Sequence, residues 1–303
     1  MLSRRKFVAI ASATILADHV RAPSAAAAPA SVQFIRLSHQ GRPAIGRVEG
    51  DNITLWSSTS LAEALTGKGQ AIAATLPLAS ADILPSVDSG AKILCMALNY
   101  VNHAVEAKQP VPESPLLFFK SQEAMIAPTA LISPPAIYSK LDYEGELAIM
   151  IGKEALAIAV DKAWDHVAGV AAFNDITARD LQDVKAGQRT HLDWFSAKSL
   201  DRSTPVGRFV PVAHIADDLK ARRTRVMTRV NGEERQNAPI ADMVFDIPQI
   251  VAFVSTRVRL SPGDIIATGT PPGVGFGSGR FLKKGDVVEV EISGLPVLRS
   301  VIG

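Results

Sequence analysis

"LDYEGELAIMIGK", Leu141 to Lys153, sets two glutamates one residue apart at the mouth of an otherwise apolar run. With a strand's period of two, Glu144, Glu146, Ala148 and Met150 share one face, and Gly145, Leu147, Ile149 and Ile151 the other. Carboxylates so placed stand roughly 6–7 Å apart, close enough to repel, where the strand enters a core. Burying either without a partner is costly. Something positive is expected between them.

A third carboxylate, Asp175, follows Glu146 by 29 residues. It sits in "AAFNDITARD", at the end of an apolar strand and just before a stretch that reads as a helix. If the two strands are neighbours, Glu144, Glu146 and Asp175 converge on one cation. Three carboxylates with no Cys or His nearby favour a hard divalent ion held through oxygen, Mg2+, Mn2+ or Ca2+, over Zn2+. The plainer alternative is a set of strand-edge charges paired with lysines and arginines. On pattern alone both stay open.

Of the 303 residues, 47% are hydrophobic and 20% charged, enough for a full core and one or two domains. Residues 1–30 are a separate object. "SRRKFVAIASATILA" follows Arg4, Arg5 and Lys6 with an apolar run from Phe7 to Ala17, too short to span a membrane but suited to a signal peptide. Ser-Arg-Arg-x-Phe is similar to a twin-arginine export signal, and "PSAAAAPAS" offers cleavage after Ala27 or Ala30. The expected location is therefore the periplasm, with no membrane attachment once the signal is removed. The alternative is a basic amphipathic helix, which the Pro and Ala residues that follow do not suit. Without residues 1–30, the 32 basic and 30 acidic residues become 28 and 29. The small positive charge of the whole chain thus gives no support for nucleic-acid binding. Cys95 stands alone in apolar "KILCMAL", so no intramolecular disulfide is possible and a buried thiol is the natural reading.

Residues 31–88 read as a small α+β unit: strands broken at Gln40-Gly41 and Glu49-Gly50-Asp51, then a helix in "SLAEALTGKG". A second core spans residues 91–303. It opens with the strand "KILCMALNY" and a short helix in "HAVEAK", followed by strands in "SPLLFFK" and "LDYEGELAIMIGK". "DKAWDHV", "ARDLQDVKAG" and "DIPQIVAFVSTRV" read as helices. Asn231-Gly232 and Ser293-Gly294 read as hairpin turns. With no regular β–α alternation, the class is α+β, predominantly β, rather than a doubly wound sheet.

Glu-x-Glu followed by Asn-Asp-x-Thr-Ala-Arg-Asp resembles the fumarylacetoacetate hydrolase family. "ALNYVNHAVE", "PLLFFK", "RVNGEERQ" and "SPGDIIATGTPPGVG" resemble further family blocks in the same order. The resemblance covers residues 91–303, and residues 33–88 look like the small N-terminal domain many members carry. It implies a mixed β-sandwich roll, a homodimer, and Mg2+ or Mn2+ on Glu144, Glu146 and Asp175. Some members add a metal-binding Asp just before the active-site His; "KILCMALNYV" has none, so water is expected to complete the shell. His103 and Glu106 match the family's catalytic pair, and their spacing puts both on one helical face.

Lys120 and Lys198 match lysines that face the substrate. Arg179 and Gln182, four and seven residues after Asp175, return to its face if the segment is helical; their plain readings are a salt bridge and a surface amide. Thr270 sits where a strand end and Gly-rich turn can aim backbone N–H groups at a substrate carboxylate. "GVGFGS" has Ser278 where a dinucleotide fingerprint needs its last glycine. Asn102, Gly145, Ala197 and Leu200 depart from the family's usual residues.

The expected reaction is hydrolysis of the C–C bond in acylpyruvate-type 2,4-dioxo acids. His103, backed by Glu106, would activate water, Lys120 or Lys198 would steady the oxyanion, and the enolate left behind would be steadied by the metal. Oxaloacetate decarboxylation, or isomerisation or hydration of an unsaturated 2-oxo acid, could use the same groups. From another class, the chain could be a non-catalytic periplasmic binder of metal and 2-oxo acid, although a binder has no need of a base.

Overall fold

Two-residue turns shape the first sheet. Gln40 and Gly41 both take positive φ, 51° and 74°, the mirror-image turn whose twist suits a tight hairpin. They join β1 (Gln33–His39) to β2 (Arg42–Glu49), and β3 (Asn52–Trp56) pairs with β2 in turn. The computed structural model describes residues 32–303, so the export signal expected over residues 1–30 lies outside the described residues. Helix α1 (Leu61–Leu65) begins at Ser60, whose side chain accepts from Glu63 N. Strands β4 (Ala71–Pro77) and β5 (Asp82–Leu84) complete the order β4-β3-β2-β1-β5. Ile35, Leu37, Ile53 and Leu55 form the sheet's own apolar cluster. Phe34, Ile45, Leu61 and Leu65 instead join a core that continues into Ala168 and Phe209.

The rest of the chain forms a six-stranded and a five-stranded sheet, with three two-stranded pairs beside them. Its elements are β6 (Ile93–Ala97), α2 (Val101–Glu106), β7 (Leu116–Lys120), β8 (Gly145–Ile151) and β9 (Val167–Asn174). Then come β10 (Asp183–Ala186), β11 (Arg189–Leu192), α3 (Trp194–Lys198), β12 (Arg225–Val230) and β13 (Glu233–Pro239). Helix α4 (Ile247–Ser255), β14 (Ile265–Ala267), β15 (Val287–Ile292) and β16 (Leu298–Ile302) close the chain. The central sheet runs β9-β8-β14-β6-β7, with Val210–Pro211 at its β9 edge; the other runs β13-β12-β15-β16, ending on Leu131–Ile132.

Both faces of β8 are buried, which is why its sequence is almost continuously apolar. Leu147, Ile149 and Ile151 pack with Val226, Val290 and Ile292 of the second sheet and with Ile247, Ile250 and Val254 of α4. Ala148 and Met150 face the other way, toward Cys95, Phe173 and Ile265. A capping box of Asp246 and Gln249 starts α4. The architecture is α+β and predominantly β, with parallel and antiparallel pairs in both large sheets.

Two expected helices take other forms. "DKAWDHV" is a 3-10 helix, Val160–His166. "ARDLQDVKAG" is a single 3-10 turn, Arg179–Leu181, leading into the β10–β11 hairpin around Gly187 at φ 63°. The helix reading fails because the segment has no apolar stripe to bury: every residue of β10 and β11 is exposed. The opening stretch is also two strands rather than one. Leu141–Asp142 pairs with Thr177–Ala178, and the ladder with β9 resumes only at Gly145.

Candidate metal centre and active site

Strands β8 and β9 are antiparallel neighbours with Gly145 opposite Asn174, so Glu144, Glu146 and Asp175 gather at one end of the pair. An oxygen from each lies within 4.8 Å of the other two, and all three residues are buried. The positive charge expected between them is present. Lys198 Nζ donates to Glu144 Oε2 and to Asp175 Oδ2, at 2.7 Å each. Lys120 Nζ donates to Asp175 Oδ1, and Arg179 donates to Glu144 Oε1. The lysine and arginine pairing and the carboxylate trio, alternatives on sequence alone, thus coexist.

Glu146 is different. Its Oε2 accepts from Gly269 N at 2.8 Å, but Oε1 is buried with no hydrogen-bond partner among the described residues. A buried carboxylate oxygen so orphaned is costly unless a cation meets it. Three carboxylates with no sulfur or nitrogen ligand suit a hard dication. The residues therefore fit a divalent metal.

Charge divides the two glutamates. Burial opposes ionisation of Glu144, but Lys198, Arg179 and His103 outweigh it and hold the pKa at about 2. Burial, then Asp175 and Glu144, push Glu146 well above the usual carboxylate range, beyond what Lys198 and Gly269 N offset. Burial also works against the charged forms of Lys198 and Arg179, yet the carboxylates around them raise both above their ordinary values.

On α2, His103 Nδ1 lies 3.2 Å from Glu106 Oε2, so the pair meets as its spacing implies. Glu106 also accepts from Gly273 N, at 3.0 Å, tying the helix to the loop after β14. That loop needs glycine at 273, where φ is 105° and a Cβ would overlap the carbonyl of Arg235.

The same loop is held from below by Asp142, which sequence reasoning did not single out. It is fully buried among four donors: Tyr143 N, Gly275 N, Phe276 N and Arg179 Nε, at 2.6–2.9 Å. Burial raises its pKa in spite of Arg179. Its only signal was an acidic residue two places before Glu144. Gln236, also unforeseen and buried, accepts from Gly145 N and donates to Thr270 Oγ1 and Pro271 O.

A cavity of about 260 Å³ opens beside Glu144 of the trio. His103, Glu144, Arg179, Gln182, Lys198 and Thr270 all line it. Arg179 and Gln182 arrive there through the 3-10 turn, not by the helical spacing expected of them. The Thr270 side chain is engaged by Gly145 O and Gln236, and the aimed backbone N–H is that of Gly269, spent on Glu146. Lys120 does not reach the cavity. Its side chain is fully enclosed, with Nζ held by Asp175 and Ile176 O. Gly145, one of the departures, is accounted for: any Cβ there would overlap Thr228 Oγ1.

The family model for the fumarylacetoacetate (FAA) hydrolase C-terminal region matches residues 92–302. Among curated relatives, the oxaloacetate tautomerase YisK of Bacillus subtilis is 41% identical over 216 residues, 70% of this chain and 69% of its own. Among solved structures, 2-hydroxyhepta-2,4-diene-1,7-dioate isomerase from Mycobacterium marinum matches with a TM-score of 0.72 at 28% identity. That match covers 90% of this chain and 98% of the other. A fumarylacetoacetate hydrolase from psychrophilic Exiguobacterium antarcticum gives 0.71 at 31% identity, with 90% and 99% covered. Proteins named as tautomerase, isomerase and hydrolase thus resemble the same chain.

Proposed function

Because the chain belongs to the fumarylacetoacetate (FAA) hydrolase C-terminal family, we propose that it is a divalent-metal-dependent enzyme that interconverts the enol and keto forms of a compact 2-oxo dicarboxylate such as oxaloacetate. The observation that carries this reading is His103, backed by Glu106, lining one cavity with Glu144 of the carboxylate trio. The name and 41% identity of the Bacillus subtilis relative support the choice among the family's reactions.

Charge supports an anionic substrate. Asp142, Glu144 and Asp175 balance Lys120, Lys198 and Arg179 while Glu146 holds its proton, so a dication that displaces that proton leaves the group with one excess positive charge. Held by Glu144, Glu146 and Asp175, Mg2+ or Mn2+ would supply Lewis-acid polarisation of the 2-oxo carbonyl. Glu106 accepts the Nδ1 proton of His103, which leaves Nε2 as the basic nitrogen on the cavity side. Nε2 takes a proton from C3 of the keto form, and the C2 oxygen of the resulting enolate gains one from solvent. In the reverse direction the enol O–H proton is lost to solvent and Nε2 returns a proton to C3. Lys198 at the cavity floor offsets charge on the C2 oxygen as it builds, and Arg179, stacked 5.5 Å from the Phe276 ring, meets a substrate carboxylate.

Acylpyruvate hydrolysis is the second reading, with His103 drawing its proton from water. The apolar walls Phe118, Leu192 and Trp194 favour it, since they would accept an uncharged acyl group. A non-catalytic binder gains no support: nothing in binding alone calls for a histidine oriented by a carboxylate. A homodimer, and export through Arg4 and Arg5, complete the proposal. Retention of an Arg4→Lys, Arg5→Lys precursor in the cytoplasm would test the export route.

The test of function is the decay of enol oxaloacetate with the purified chain and Mn2+, run beside an acylpyruvate and oxaloacetate decarboxylation. Metal-dependent acceleration of ketonisation, abolished by chelator, is the expected result. Turnover of the acylpyruvate alone would favour the second reading, and no turnover of any of them would overturn both.

A further inference from the structure

The cavity has two ends of opposite character. Its floor is made of buried groups, among them His103, Glu144, Lys198 and Thr270. Its rim is exposed: Leu116 at 38%, Phe276 at 51% and Leu192 at 63%, with Gln109 and Asp183 between them. Arg179 and Lys198 are the lysine and arginine side chains among the described lining residues, and both are held at the floor by Asp142, Glu144 and Asp175. The charge at the rim is that of Asp183. It is the first residue of β10 and stands directly across the hairpin from Leu192, and side chains so opposed share one face. Asp193 N donates to Gln182 O at 2.8 Å and closes the base of the hairpin there. One stretch of wall thus presents a carboxylate and an apolar side chain together.

We propose that Asp183 is a specificity-determining residue that turns away 2-oxo acids carrying a second carboxylate at the end of a long chain. The inference rests on the reading of the site as one for 2-oxo acids. A substrate anchored at the floor by its carboxylate and 2-oxo group sends its remaining carbons toward the rim. In oxaloacetate the second carboxylate is one methylene from the carbonyl and stays near Lys198 and Arg179. In a seven-carbon dioate it arrives beside Asp183 and Leu192, at a rim with no lysine or arginine among its described lining residues, Lys185 on the same hairpin face standing outside that lining. An uncharged tail of the same length meets only favourable apolar surface.

Two probes of equal chain length isolate the effect: 2-oxoheptanoate, and 2-oxopimelate, which adds the terminal carboxylate. Calorimetric titration of the Mn2+-loaded full chain at low salt should show 2-oxoheptanoate binding about tenfold or more tightly than 2-oxopimelate. Added salt should narrow the gap, because a rim exposed to solvent is screened. Asp183→Asn should shrink it and Asp183→Lys should invert it. Leu192→Lys, on the same wall, should also favour the dioate while leaving Asp183 in place. Equal binding of the two acids by a wild-type chain that binds oxaloacetate would overturn the role of Asp183 alone, as would a gap unchanged in Asp183→Lys. Failure of oxaloacetate and both probes to bind the loaded chain would overturn the 2-oxo acid reading and this inference with it.

Discussion

Two antiparallel pairs lie close together in the sequence and could hardly differ more. Every residue of β8 and β9 is buried, and every residue of β10 and β11 is exposed. The first pair is locked by apolar packing on both faces, and so can hold like charges a few ångströms apart. The second is held by its own ladder and the turn at Gly187, and so its side chains can be exchanged without disturbing a core. On the proposed reading, the metal-binding trio sits at one end of the rigid pair and substrate choice on the exposed one.

The largest effects should come from the rigid pair. Glu144→Ala, Glu146→Ala and Asp175→Ala should each abolish activity and weaken Mn2+ binding, while the chain still folds in excess chelator. Metal-free, Glu146→Ala removes a repelled carboxylate with an oxygen unpartnered among the described residues, and should lose little stability or gain some. Glu144→Ala and Asp175→Ala strip buried Lys198, Arg179 or Lys120 of a partner and should be less stable. Calorimetry with and without Mn2+ measures both. Lys185→Ser on the exposed hairpin should leave metal affinity unchanged. Equal metal losses from both regions would dissolve the distinction between them.

Gly145→Ala should be next. A methyl group there meets Thr228 Oγ1 in a packed core, and overpacking of this kind costs about 1–3 kcal/mol. Chemical denaturation measures the loss. Replacement without cost would mean the contact between the two large sheets is looser than β8 requires.

A smaller effect follows from Glu146. Its pKa is raised in the folded, metal-free chain, so the folded state binds more protons than the unfolded state once pH exceeds the usual carboxylate range. Metal-free stability should therefore fall as pH rises toward that raised value. Glu144, at about 2, works in the opposite sense, and its contribution is lost only as pH drops below the usual carboxylate range. Metal displaces the Glu146 proton, so Mn2+ affinity should rise with pH, with proton release visible as a buffer-dependent heat of binding. A pH-independent affinity would place the ion elsewhere.

The same contrast explains what was legible in the sequence. His103 and Glu106 stood out only through their resemblance to the family's catalytic pair, whereas Glu144, Glu146 and Asp175 could be picked out as carboxylates at the ends of apolar strands. So could β8, whose apolar run has few alternatives to a buried strand. Asp142 and Gln236 could not, because their partners are backbone N–H groups and a hydroxyl far along the chain, such as Gly275 and Thr270. Arg179 and Gln182 were identified, but through a helix that does not form. Lys120 was placed at the substrate although it lies behind Asp175. The β10–β11 hairpin was missed for want of any alternation, since neither of its faces is buried.

The central claim is that the trio binds while His103 moves the proton, and one variant separates the two. His103→Ala should bind Mn2+ and then oxalate, a 2-oxo acid analogue, nearly as tightly as wild type. Its rate of oxaloacetate ketonisation should fall by roughly 10²–10⁴, the usual worth of a positioned base. A matching loss of metal affinity and turnover would make His103 a ligand or a structural residue, and the base would then lie elsewhere in the cavity.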